Sequence, residues 1–309
     1  MVRVIRSSLA VLLPSVLAAC SSAETARLGD LRLESGATLQ DCRVTYRTRG
    51  RLNAERSNAV LVVPWFQGNS VQTALQVGPG KLVDTSKFFV ILVDSLANGR
   101  ASSPSNSAAQ PGSAFPAITI RDMVESQYQL VTRTLGLRHL HAVVGISMGG
   151  MQVFEWTIAY PDLMTKAVSI VGSPKAQPDD IERWNGSLAW LAHSPWARTR
   201  TRLSEFKPRS ALGEYRTDSD NQRRQIQAIV GHDVTRRFGG SMERTAAALR
   251  AELLVVGTLA DREVNNRPAL EFARLARAEV LELDGRCGHQ APSCERVTLW
   301  PAMARFLGR

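Results

Sequence analysis

A lone serine interrupts the run V-V-G-I-S-M-G-G-M-Q, Val143 to Gln152. Leu140 to Ile146 read as a buried strand and Met151 to Tyr160 as a helix, which places Ser147 at a strand-to-helix turn. Gly145 to Gly149 fit G-x-S-x-G, where small neighbours let the backbone turn tightly and expose the hydroxyl at the head of a helix. A serine hydroxyl attacks carbonyls well only when a neutral imidazole takes its proton and a carboxylate fixes that imidazole's tautomer. The chemistry to look for is therefore acyl transfer through a covalent intermediate.

The acid that fits is Asp261, in L-L-V-V-G-T-L-A-D-R just past an apolar strand; a turn or helix-cap aspartate is its structural alternative. The base that fits is His289, in a glycine-flanked loop after the strand Val280 to Leu283. His139 and His141 precede the nucleophile, and His193 lies near a tryptophan. His232 comes before Asp261, which breaks the order nucleophile, acid, base. An oxyanion would be met by the backbone N–H of Met148 and by one from P-W-F-Q-G-N-S, assigned to Phe66.

These groups need a sheet to hold them. Apolar strands are expected at Ala59 to Val63, Phe88 to Val93, Leu140 to Ile146, Ala167 to Val171, Leu253 to Val256 and Val280 to Leu283. Helical stretches fall at Ile120 to Leu135, Met151 to Tyr160, Pro268 to Ala276 and Val297 to Phe306. This alternation predicts a mostly parallel α/β sheet with helices on both faces. A period-two pattern around Gly36, from Leu31 to Thr48, predicts an antiparallel hairpin before it. Residues from about 174 to 250 break the rhythm and carry Trp184, Trp190 and Trp196, which predicts a helical insertion.

The chain has 309 residues and a formal charge of +10. Arg3 and Arg6, then Leu9 to Leu17 and Ala18-Ala19, form an export signal over residues 1–19, too short to span a bilayer. L-A-A-C followed by Ser21-Ser22 resembles a bacterial lipobox, which implies acylation of Cys20 and a polar tether over residues 20–28; a plain secretory signal is the alternative. The expectation is an exported protein, lipid-anchored on the periplasmic side of a bacterial membrane. Without the signal, 36 basic residues face 28 acidic ones, a net +8 that suits an anionic membrane surface. The arginines are scattered and no nucleic-acid module is present. In an oxidising compartment Cys287 and Cys294 could bridge and stiffen the loop that carries His289; two buried thiols are the alternative. Cys42 reads as a small core residue. The sequence carries no zinc spacing, H-E-x-x-H or G-x-G-x-x-G, so neither metal nor cofactor is expected.

Several stretches together resemble the homoserine O-acetyltransferase-like branch of the α/β-hydrolase superfamily: R-L-N-A-E-R-S-N-A-V-L-V at 51–62, G-P-G-K-L-V-D-T-S-K-F-F-V-I at 78–91, T-I-R-D-M-V at 119–124, G-I-S-M-G-G-M-Q at 145–152 and C-G-H at 287–289. The resemblance implies an α/β-hydrolase fold over residues 29–309 with a helical cap insertion, a triad of Ser147, Asp261 and His289, and an oxyanion hole at Phe66 and Met148. It also implies a small-molecule ester or acyl donor as substrate. Transferases of this branch carry an aspartate after the catalytic histidine to receive the homoserine amine; here Gln290 stands there, and an amide does not pair with an ammonium as a carboxylate does. With export, this favours water as acceptor and hydrolysis of carboxylic esters. The alternatives are an O-acyltransferase of the same branch, and a membrane-anchored binding protein without catalysis, which the three filled triad positions disfavour.

Overall fold

The computed structural model describes residues 22–193 and 218–309. The export signal, Cys20 and Trp196 lie outside the described residues. Strands β1 (Glu24–Arg32), β2 (Thr38–Arg49), β3 (Ala59–Val63), β4 (Phe89–Val93), β5 (Leu140–Ile146), β6 (Met164–Ile170), β7 (Glu252–Gly257) and β8 (Glu279–Glu282) form one sheet. Its order is β1-β2-β4-β3-β5-β6-β7-β8. The β1–β2 hairpin joins antiparallel through β2 and β4, and every pairing from β4 to β8 is parallel.

The described α-helices are α1 (Ser70–Thr73), α2 (Ile120–Gln129), α3 (Met148–Ala159), α4 (Pro178–His193), α5 (Ser219–Val230), α6 (Met242–Ala247), α7 (Arg267–Ala276), α8 (Ala291–Cys294) and α9 (Arg296–Gly308), with short helical turns between them. β3 and β4 are apolar at every position because both faces of the sheet are covered. Leu61, Val63, Val143 and Val255 share one cluster with Phe154 and Trp156 of α3 and Phe272 of α7. Val60, Val62, Val144 and Val256 share another with Met303 and Phe306 of α9. The period of two thus sends alternate residues of each strand into different cores.

Several boundaries differ from the sequence expectation, and the helix expected over Ile120 to Leu135 is α-helical only to Gln129. The stretch 20–28 is not all tether: β1 starts at Glu24, Ala26 is buried, and the Tyr46 hydroxyl donates to Glu24 at 2.9 Å. The register shifts on both sides of Gly29, so the alternation of this strand is interrupted in the sequence. Helix α3 starts at Met148 rather than Met151, because the poor helix formers Gly149 and Gly150 hide its first turn. The insertion is helical in α4 and α5, but its tail returns to the main body: Val234, Met242 and Ala246 are buried in the cluster of Phe154 and Phe272. Cys42 is fully buried in β2, and burial pushes its thiol up to about 12.

Candidate active site

The carboxyl ends of four strands converge on one edge. β5 runs straight into Ser147, whose φ of 58° and ψ of −121° are strained for a residue with a side chain. Hydrogen bonds hold the strain: the Ser147 N–H donates to the Ile170 carbonyl at 2.8 Å, and the Met151 N–H to the Ser147 carbonyl at 3.1 Å. The glycines of the motif are required by contact. A Cβ on Gly145 would lie 2.1 Å from the Gly149 carbonyl oxygen, and one on Gly149 would lie 2.5 Å from that of Val63.

Beyond β8, His289 sits in a single turn, Gly288–Gln290. Its Nε2 is 2.8 Å from Ser147 Oγ and its Nδ1 is 2.7 Å from Asp261 Oδ2. The Asp261 side chain is 0 % exposed and that of His289 10 %, so the relay is shielded from bulk water. Asp261, past the end of β7, is held by the N–H groups of Glu263 and Val264, which donate to Oδ1 at 2.8 and 3.0 Å. Cys287 and Cys294 form a disulfide that brackets the histidine turn. Glu295 adds a second brace, accepting the N–H groups of Asp284 and Gly285 at 2.8 and 3.0 Å.

The other histidines are engaged elsewhere. His139 meets Thr165, His141 meets the Leu307 carbonyl, and His193 meets the Ala189 carbonyl. His232 lies against the Ser173 carbonyl at 3.1 Å, and burial pushes its imidazole down to about 4.

Met148 opens α3, where an N–H has no acceptor within its own helix. Phe66 lies in a turn closed by the Gly68 N–H on the Trp65 carbonyl at 2.8 Å. Among the described residues neither the Met148 nor the Phe66 N–H has a hydrogen-bond acceptor. Over Ser147 and His289 lies a cavity of about 280 Å³ walled by Trp65, Phe66, Leu82, Trp184, Leu299 and Trp300. Gln290 lines it too, as does the rim carboxylate of Glu263, whose Oε2 is 4.0 Å from His289 Nε2.

The alpha/beta hydrolase fold family matches residues 59–240, more than half of the chain. The chain belongs to that family. The matched stretch carries Ser147, whereas Asp261 and His289 follow it. Within the family it falls in the homoserine O-acetyltransferase-like branch, whose relatives include both transferases and esterases. It is 40% identical over 162 residues to a probable esterase of Corynebacterium glutamicum, covering 51% of this chain and 46% of that protein. It is 39% identical over 171 residues to a homoserine O-acetyltransferase of Methanococcoides burtonii, covering 50% of this chain and 35% of that protein. The chain thus spans less than half the length of these curated relatives. A solved acetylester hydrolase from Corynebacterium glutamicum superposes with a TM-score of 0.78 at 25% identity, covering 93% of this chain and 95% of that one.

For this hydrolase-fold chain the structure also reveals residues that sequence reasoning missed. The three tryptophans of the insertion part company: Trp184 lines the cavity, Trp190 is exposed, and Trp196 lies outside the described residues. Trp65 and Trp300 supply the remaining indole walls from the main body. Asn266 braces the acid loop, donating to the Val264 carbonyl at 2.9 Å while its own oxygen accepts the Thr258 N–H at 3.0 Å. Its place at the start of α7 was the one available signal. Gln225 of α5 reaches back to the Phe66 turn, and nothing in the sequence marks it.

Proposed function

We propose that the chain is a serine hydrolase of carboxylic esters that works through an acyl-enzyme. The observation that carries this reading is the continuous relay from Ser147 through His289 to Asp261, at 2.8 and 2.7 Å, on the floor of an aromatic cavity. Ser147 Oγ attacks the ester carbonyl as its proton passes to His289 Nε2, and Asp261 stabilises the resulting imidazolium. The N–H groups of Met148 and Phe66 receive the oxyanion; each donor of this kind is worth about 10² to 10³ in rate. The imidazolium then protonates the departing alcohol, and a water, deprotonated by the same imidazole, releases the acid. The relatives named as a probable esterase and an acetylester hydrolase support water as acceptor, and Gln290 in the cavity supports it against an amino-alcohol acceptor.

The N-terminal residues complete the proposal. Arg3, Arg6, Leu9 to Leu17 and the L-A-A-C ending support export, acylation of Cys20 and a membrane anchor on the periplasmic side. A panel of chromogenic esters of graded acyl length, on wild type and Ser147→Ala, tests the enzyme reading. Turnover should vanish in the variant, and unchanged turnover refutes the mechanism. Product analysis with added alcohols separates transfer from hydrolysis. Metabolic labelling with a fatty-acid probe should mark the wild type and not Cys20→Ser.

A further inference from the structure

We propose that Gln225, on helix α5 of the insertion, is a positioning residue for the reaction: it holds the Phe66–Gln67 turn so that the Phe66 N–H faces the oxyanion. The proposal rests on the ester-hydrolase reading, which supplies the role of that N–H.

Gln225 is 0 % exposed and makes three hydrogen bonds with main-body residues. Its Oε1 accepts both the backbone N–H and the side-chain amide of Gln67, each at 2.8 Å. Its Nε2 donates to the Leu96 carbonyl at 3.0 Å. Gln67 has a φ of 56°, in the left-handed region that a residue with a side chain occupies only when its surroundings hold it there. The bond from the Gln67 N–H fixes the orientation of the peptide plane that follows Phe66, and with it the ψ of Phe66. Trp184 of α4 contacts the Phe66 ring edge-on, with centroids 5.3 Å apart. The insertion therefore grips Phe66 by its ring and, through Gln67, by its backbone, and leaves its N–H without a partner among the described residues.

The chemistry of the contact matches this role. A helix that merely shielded the site would place an apolar side chain here and strand the buried Gln67 N–H. A glutamine accepts from Gln67 and donates to Leu96 with one uncharged amide, adding no charge beside a position where negative charge develops. Asn221, one helical turn earlier on the same face, supplies an internal comparison. It binds Ser105 through two hydrogen bonds, at 3.1 and 2.8 Å, and makes no hydrogen bond to the Phe66 turn.

The test measures kcat and KM with a chromogenic ester, per active site counted by end-point fluorophosphonate titration. It compares wild type, Gln225→Met, Gln225→Asn and Asn221→Ala, each with its thermal midpoint. Gln225→Met keeps the length and loses the acceptor; kcat per titrated site should fall about 10- to 100-fold, a large part of one oxyanion donor, with KM within about threefold. Gln225→Asn draws the amide back from both partners, disturbs the fold less, and should fall in the same direction. Asn221→Ala should lower the midpoint and leave kcat per site within about twofold. The proposal is overturned if both Gln225 variants keep wild-type kcat, or if Asn221→Ala loses as much kcat as they do. Loss of all turnover in Ser147→Ala together with unaffected Gln225 variants would remove this inference and leave the hydrolase reading standing.

Discussion

Replacing Asp261 by asparagine changes one atom in a fully buried group, and the surroundings dictate how the new amide must sit. Oδ1 already accepts two backbone N–H groups, from Glu263 and Val264, so the amide oxygen stays there. The NH₂ then replaces Oδ2, the atom 2.7 Å from His289 Nδ1. Facing a donor, Nδ1 must become the acceptor, which moves the ring proton to Nε2, the atom 2.8 Å from Ser147 Oγ. An Nε2 that carries a hydrogen cannot take the serine proton. Turning the amide over would restore the tautomer but leave the N–H groups of Glu263 and Val264 without their acceptor, at about 1–3 kcal/mol for the buried Val264 and about 0.5–1.5 kcal/mol for the exposed Glu263, or about 1.5–4.5 kcal/mol in all. That range spans roughly 10-fold to 2 × 10³-fold in rate. A serine triad with the wrong tautomer loses about 10⁴ in kcat, but the flipped amide limits the loss, and we expect Asp261→Asn to lose more than about tenfold and up to about 2 × 10³-fold, with KM little changed. The assay is ester hydrolysis normalised to titrated sites, with circular dichroism confirming the fold. A kcat within tenfold of wild type would refute the assignment of Asp261 as the residue that sets the tautomer.

Two further perturbations probe the frame around the site. Removing the Cys287–Cys294 bridge by a double serine substitution frees a loop of sequence separation 7, which loop entropy puts at about 2.5 kcal/mol. The thermal midpoint should fall by on the order of 5 °C and kcat by several-fold, Glu295 still bracing the loop; an unchanged kcat would show that the bridge does not help to hold His289. Glu155, buried on α3, is the second: burial lifts its carboxyl to about 7 even though the Arg237 and Arg121 guanidiniums, at 3.4 and 3.9 Å, pull the other way. The folded chain then keeps a proton that the unfolded chain releases near 4.5. Stability from this group is therefore full below that value and lost as pH rises to about 7, by about 3 kcal/mol at about 1.4 kcal/mol per pH unit. Urea midpoints at pH 5 and pH 8 should diverge in wild type and converge in Glu155→Gln; equal pH dependence in the two proteins would count against it.

The strands that carry the chemistry were legible because both their faces are buried, so β3 reads as an unbroken apolar run and β5 as a run broken only at His141, both with the expected bounds. β6 was harder. It starts at Met164 rather than Ala167, because Lys166 reads as a surface residue and is in fact buried, its ammonium bonded to Glu252 at 2.8 Å and lying over the Phe306 ring. Ser147, Asp261 and His289 could be placed because each follows a strand end and chain order is visible in one dimension. Gln225 and Trp65 could not, since their importance lies in contacts across the fold that carry no local period. Gln67 and Gln225 are 158 positions apart and meet only once the insertion has folded back.

The strand order has a temporal consequence. Ser147 follows the fifth strand, whereas Asp261 and His289 follow the two that close the far edge, and the imidazole is separated from the hydroxyl by 142 positions. A chain synthesised from its amino end acquires its nucleophile long before the partners that activate it. During synthesis the half-made protein holds a lone alcohol, and the relay from Ser147 through His289 to Asp261 closes only when the last strands have joined the sheet.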